Sequence, residues 1–120
     1  MGLMHVSVVV KHPGAPNGGY EALFLVNKGA TDSMAPASAL LKAGLHPIGR
    51  SSYELADGSV REYPFGLAQI EFMGEITAGR VIFGPDELVP ILGVTALESV
   101  GIIVDPANQT LKRLPAVPLK

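Results

Sequence analysis

The run Phe24-Leu25-Val26, which passes straight into the small polar turn Asn27-Lys28-Gly29-Ala30-Thr31-Asp32-Ser33 and on to Met34-Ala35-Pro36, most constrains how this chain can fold. Three consecutive apolar side chains imply a strand buried on both faces. Gly29 lets the backbone bend, or be approached, where a side chain would block it. A loop held by a rigid strand is a favoured place for chemistry, so Asn27 and the residues after it form the first candidate site.

The rest of the chain reads as short strands cut by turn residues. His5 to Val10 alternates before merging into valines, and β-branched residues favour extended backbone. His12-Pro13-Gly14-Ala15-Pro16-Asn17-Gly18-Gly19 is a loop, with a tight turn at Asn17-Gly18 that returns the chain as the strand Tyr20 to Val26. Pro36 preorganises a short helix through Ala43, ended by Gly44, with Leu40 and Leu41 facing the core. Ile48 to Leu55 and Ser59 to Phe65 flank Ala56-Asp57-Gly58, a hairpin signal. Ala68 to Met73 alternates, turns at Gly74 and returns as Ile76 to Phe83. Pro90-Ile91-Leu92-Gly93 is a further short strand, and Thr95 to Val100 is helical and closed by Gly101. Strands Ile102 to Val104 and Thr110 to Leu114 follow, joined by Asp105-Pro106-Ala107-Asn108. About eight strands and two short helices predict an all-β closed barrel or sandwich.

Composition narrows the function classes. At 120 residues the chain is expected to be one domain over 1–120. Its apolar share is 48% against 17% charged, more hydrophobic material than a small monomer usually hides, which points to a self-association surface. A net charge of −2 gives no basic field, and Lys112, Arg113 and Lys120 read as a solvated end, so no nucleic-acid partner is expected. The absence of cysteine rules out disulfides and thiolate chemistry and fits the cytoplasm. The apolar run at the start is shorter than a signal core, and Leu88 to Val104 is broken by Pro90, Gly93, Glu98 and Gly101, so no membrane span is expected. His5, His12 and His46 are unclustered, which argues against a metal. Neither a nucleophile elbow nor a phosphate loop is present. Glu71, Glu75, Asp86 and Glu87 read as solvated charges.

Asn27-Lys28-Gly29-Ala30-Thr31, following an apolar strand, resembles the active-site loop of the retropepsin-like aspartic proteases, whose pattern is Asp-Thr-Gly-Ala/Ser. The likeness runs from about His5 to Leu114 in matching order: hairpin, catalytic-type loop, flap, second hairpin, Ile91-Leu92-Gly93, helix, final strands. It looks most like the small prokaryotic members, in which Thr-Asp-Ser follows the loop and the flap reads Tyr-Glu-Leu-Ala-Asp-Gly, as Tyr53 to Gly58 do here. A strand-glycine-helix element occurs twice, at Phe24 to Gly44 and Ile91 to Gly101. It is either a common β-to-helix connection or, as the resemblance implies, a strand crossing behind the catalytic loop.

The resemblance implies a homodimer in which each subunit gives one aspartate. The two would share a proton, the ionised one activating water and the protonated one polarising the scissile carbonyl. No cofactor enters this chemistry. In this sequence Asn27 stands in the catalytic position with Gly29 beside it. Ala30, Thr31, Asp32, Ala56, Asp57 and Gly58 fall where the family binds substrate. Asn27 has no proton to shuttle, so the implied function is an inactive protease-fold protein that binds peptide or self-associates. The alternative is an active aspartic endopeptidase, a hydrolase, represented by an altered sequence. Lys28 replaces a threonine that bonds across the dimer axis, with Asp32 a candidate partner for its ammonium. Asn27 also reads as an ordinary Asx turn, and Asp32 either as a peptide contact or as a solvated turn cap.

Overall fold

The valine-rich start and the Phe24 run pair with each other, β1 (His5–Lys11) antiparallel to β2 (Tyr20–Asn27), with Val8 opposite Ala22. This computed structural model describes residues 4–15 and 18–119. Asn17 and Pro16, in the loop expected to turn the chain back, lie outside the described residues, as do Met1 to Leu3 and the tail residue Lys120. The remaining strands are β3 (Ser33–Pro36), β4 (Gly49–Glu54), β5 (Val60–Phe72), β6 (Glu75–Gly84), β7 (Ile91–Gly93), β8 (Ile102–Asp105) and β9 (Thr110–Arg113). The helices are α1 (Ala37–Lys42) and α2 (Val94–Ser99).

The hydrogen-bonded order is β1-β2-β7-β3-β6-β5-β4, and a further β1–β5 pairing joins the ends. Six strands therefore close into a barrel, with β4 continuing outward from β5. The expected all-β closed barrel with two short helices is what the chain forms. Lys11 Nζ reaches Glu71 Oε2 at 2.9 Å across the closing pair. Inside lie Val8, Val10, Phe24, Leu40, Ile70, Val81, Leu92 and Leu97, all at most 2% exposed. Burial of each large side chain contributes on the order of 1.5–3 kcal/mol.

Several expectations are corrected. The reading broke the chain between Phe65 and Ala68, but β5 runs unbroken through Gly66. A side chain there would meet the His46 carbonyl at 2.9 Å and the Phe83 ring at 3.1 Å, so the glycine marks a close approach and not a turn. Pro64 sits in the part of β5 that has β4 as neighbour but precedes the pairing with β6, which starts at Phe65. The missing N–H is tolerated there. Ser33 to Pro36 forms β3, where the sequence reading had the turn run on to a helix start at Pro36. Leu41 is 47% exposed and only Leu40 of the pair is buried. Three carboxylates expected to be solvated have partners: Glu71 with Lys11, Glu75 with Arg113, and Asp86, which accepts from the Ser38 N–H at 3.1 Å. Asp86 thereby satisfies an otherwise free donor in the first turn of α1. Arg113, read as part of a solvated end, is held by Glu75 and by the Met73 carbonyl at 2.9 Å.

The crossing of β7 behind the β2–β3 loop brings backbone against backbone. β7 lies parallel to β2, with Asn27 opposite Gly93, and touches β3 through Ile91 and Met34. A Cβ on Gly93 would stand 2.6 Å from the Asp32 carbonyl carbon and 2.7 Å from the carbonyl oxygens of Asp32 and Thr31. These are backbone atoms and cannot swing aside. Gly93→Ala is therefore expected to destabilise the fold by about 1–3 kcal/mol in denaturant unfolding. In Gly79→Ala the added Cβ meets nothing within 4 Å, and stability should change by less than about 1 kcal/mol.

Candidate functional site

β2 delivers Asn27 to the open end of the barrel, where the chain turns. The Asn27 Oδ1 accepts the Gly29 N–H at 3.0 Å, and the Asn27 carbonyl accepts the Ala30 N–H at 3.0 Å. The Asx turn and the candidate site are thus the same object. With Oδ1 occupied, Nδ2 is the end left to donate, and it makes no hydrogen bond to a described residue.

The loop is pinned from behind. Ser33, 2% exposed, accepts the Gly93 N–H on Oγ at 3.0 Å. Val94 N–H donates to the Ala30 carbonyl at 2.8 Å, and Thr95 N–H to the Thr31 carbonyl at 3.2 Å. These are donors at the start of α2, which lack partners inside the helix. Both elements are satisfied at once. The loop residues Asn27 to Asp32 consequently hold one conformation although their side chains are exposed or half-buried.

Opposite the loop stands the β4–β5 hairpin. Its turn closes with Gly58 N–H on the Leu55 carbonyl at 2.9 Å and Leu55 N–H on the Ser59 carbonyl at 2.8 Å, and Gly58 takes φ +87°, a left-handed value that glycine adopts without strain. The Asp57 carboxylate accepts from Ser59 Oγ at 2.6 Å and from Ser59 N–H at 2.9 Å, which hold it below the ordinary carboxylate range. From the arm of this hairpin, Tyr53 Oη donates to Asp32 Oδ2 at 2.8 Å. Burial and the adjacent Asp32 carboxylate raise the Tyr53 pKa above its usual value, with Arg80 opposing. Arg80 itself donates to Ser51 Oγ at 2.8 Å and lies 4.0 Å over the Phe65 ring.

Loop and hairpin enclose an open groove of ≈ 910 Å³. Of the expected site residues, Asn27, Gly29, Ala30, Thr31, Asp32 and Ala56 line it. Asp57 and Gly58 sit at the hairpin turn, outside the lining. Sequence reasoning missed Met34, Ser52, Tyr53, Glu54, Leu55, Tyr63, Ile82 and Ile91, which complete the walls. The signal for Tyr53 and Tyr63 was available, since both flank the Asp57-Gly58 turn on its extended arms. Asp32, one candidate partner for Lys28, accepts from Tyr53, and Lys28 forms no ion pair among the described residues. Among the described residues no three potential metal ligands gather, and no helix is long and apolar enough to cross a membrane.

No family model matches the chain, and no curated protein is significantly similar to it in sequence. Solved structures are similar in fold. The retroviral protease-like domain of Ddi1 from Leishmania major superposes with TM-score 0.59 at 16% identity, covering 97% of this chain and 91% of that one. A retropepsin-like aspartic protease from Rickettsia conorii gives 0.55 at 18% identity, covering 92% and 93%. The simian foamy virus (mac) protease gives 0.51 at 14% identity, covering 75% and 87%.

The two shifted groups of the hairpin have opposite pH signatures. The Tyr53 pKa, raised by burial first and by the Asp32 carboxylate second, means that the neutral hydroxyl favours the folded state, a contribution present below the ordinary tyrosine range and lost as pH rises through the higher folded value. In a 295 nm titration, a tyrosine phase should appear above the ordinary tyrosine range, and Tyr53→Phe should remove it. The lowered Asp57 pKa contributes above the unfolded value of 3.8 and is lost as pH falls through the lower folded value. Asp57→Ala should flatten the acid limb of the stability curve.

Proposed function

We propose, from the retropepsin-like fold of this chain, that it is a peptide-binding relative of the aspartic proteases whose catalytic position no longer carries an acid. One observation supports this reading above the others: Asn27 lies at the end of β2, on the floor of the groove, with its Oδ1 already held by the Gly29 N–H. An aspartate there would supply the general base and the proton that peptide hydrolysis needs. A carboxamide has no titratable proton near neutral pH, and here its free end is a donor. Such a floor can hold a peptide carbonyl but cannot activate water. The β4–β5 hairpin acts as a flap whose inner arm, through Tyr53 and Ser52, forms the opposite wall. An extended peptide fits such a groove by adding main-chain hydrogen bonds to exposed backbone.

The working form is a homodimer of this chain in the cytoplasm, with two copies of the loop meeting at the axis and no bound cofactor. Lys28 then places two ammonium groups near each other. Their repulsion opposes association and is screened by salt. The dimer should therefore tighten as ionic strength rises, and Lys28→Thr should strengthen it at low salt; sedimentation at several concentrations measures both.

A second reading, peptide hydrolysis by the unaltered chain, has one observation in its favour: the Asp32 carboxylate lines the same groove. Peptidase assays at acidic and neutral pH separate the two. The unaltered chain is expected to show no cleavage, and the doubly substituted Asn27→Asp, Lys28→Thr protein to gain it at acidic pH, by at least about two to four powers of ten. Cleavage by the unaltered chain that disappears in Asp32→Asn would establish the second reading in its place.

A further inference from the structure

We infer that the groove selects peptides carrying a lysine or arginine side chain, with Asp32 as the residue that reads the positive charge. This deepens, and rests on, the reading of the groove as a peptide site. Its titratable lining is one-sided. Asp32 and Glu54 both line it, and no lysine, arginine or histidine does. None of the nearby cations is paired with Asp32: Arg80 shares the adjoining cleft with it without an ion pair, and Lys28, in the same loop, lies outside the groove lining and forms no ion pair among the described residues. Arg80 is bonded to Ser51 and stacked on Phe65, and Arg50 is paired with Glu62 at 2.8 Å.

Asp32 is also placed to discriminate. It is half-buried on a loop whose backbone is fixed by Gly93, Val94 and Thr95, so its position does not have to be organised when a ligand arrives. Oδ2 is oriented by the Tyr53 hydroxyl, and Oδ1 makes no hydrogen bond to a described residue. One oxygen is held and the other is open. A cationic donor arriving at Oδ1 gains a charge-assisted hydrogen bond in a partly desolvated site, where such bonds are stronger than on an open surface. The apolar walls provided by Met34, Ile82 and Ile91 suit the methylene stem of a lysine or arginine, which packs on apolar surface while its head reaches a carboxylate. An acidic side chain at the same place meets two like charges.

The test compares three labelled extended peptides of roughly eight residues, identical except for a central lysine, norleucine or glutamate. Binding to the full-length chain is followed by fluorescence anisotropy. The lysine peptide should bind about tenfold more tightly than the norleucine peptide, the advantage should shrink with added salt, and the glutamate peptide should be weakest. Asp32→Asn keeps an acceptor for Tyr53 and should bring the lysine and norleucine peptides to the same affinity as each other. Glu54→Gln, on the exposed hairpin arm, should reduce the advantage in part. Equal affinity for lysine and norleucine peptides overturns the charge selection and leaves the peptide-groove reading standing. Failure of all three peptides to bind overturns both.

Discussion

The meeting of Gly93 with the backbone of Thr31 and Asp32 is the contact on which the rest of the molecule depends. A strand can cross behind a loop at this distance only if its residue has no side chain. That closeness lets Ser33, Ala30 and Thr31 receive the N–H groups of Gly93, Val94 and Thr95. The same bonds satisfy the start of α2 and immobilise the loop bearing Asn27. The strand crossing, the helix entry and the site geometry are therefore one solution to one hydrogen-bonding problem.

From this fixed floor the groove follows. The β4–β5 hairpin extends beyond the closed part of the barrel, because β4 pairs with β5 alone, and it is tied to the floor by Tyr53 and Asp32. A rigid loop facing a hairpin with one polar tether encloses a groove whatever the residue at position 27. What that residue decides is chemistry. Asn27 keeps the shape and hydrogen-bonding reach of an aspartate while removing the proton and the charge, and on that difference we base the proposal of a groove that recognises peptide without cutting it.

Much of this was legible in the sequence where a local rule governs. Phe24 to Val26 and the alternation around Ile70 gave strands, Gly58 and Gly101 gave ends, and the order of segments gave the barrel. The failures share a physical cause, which is that the deciding partner lies far away in sequence. Gly66 looked like a break because the His46 carbonyl and Phe83 ring that require it are invisible to local patterning. Ser33 to Pro36 became a strand through pairing with Val81 to Gly84 on one side and Ile91 on the other. Asp32 found Tyr53, 21 positions away, in preference to the nearby Lys28. The candidate loop was readable because its turn is local, and the walls of the groove were not, because they come from five other strands.

The central claim is that Asn27 floors a groove that holds peptide without cutting it. The most direct measurement follows the Asn27 side-chain amide in proton–nitrogen correlation spectra while an extended peptide is added. The account predicts that its paired amide signals shift together with the backbone signals of Gly29 and Tyr53, and that the peptide stays intact throughout. Shifts confined to the outer barrel surface, or new peptide termini appearing during the titration, would contradict it.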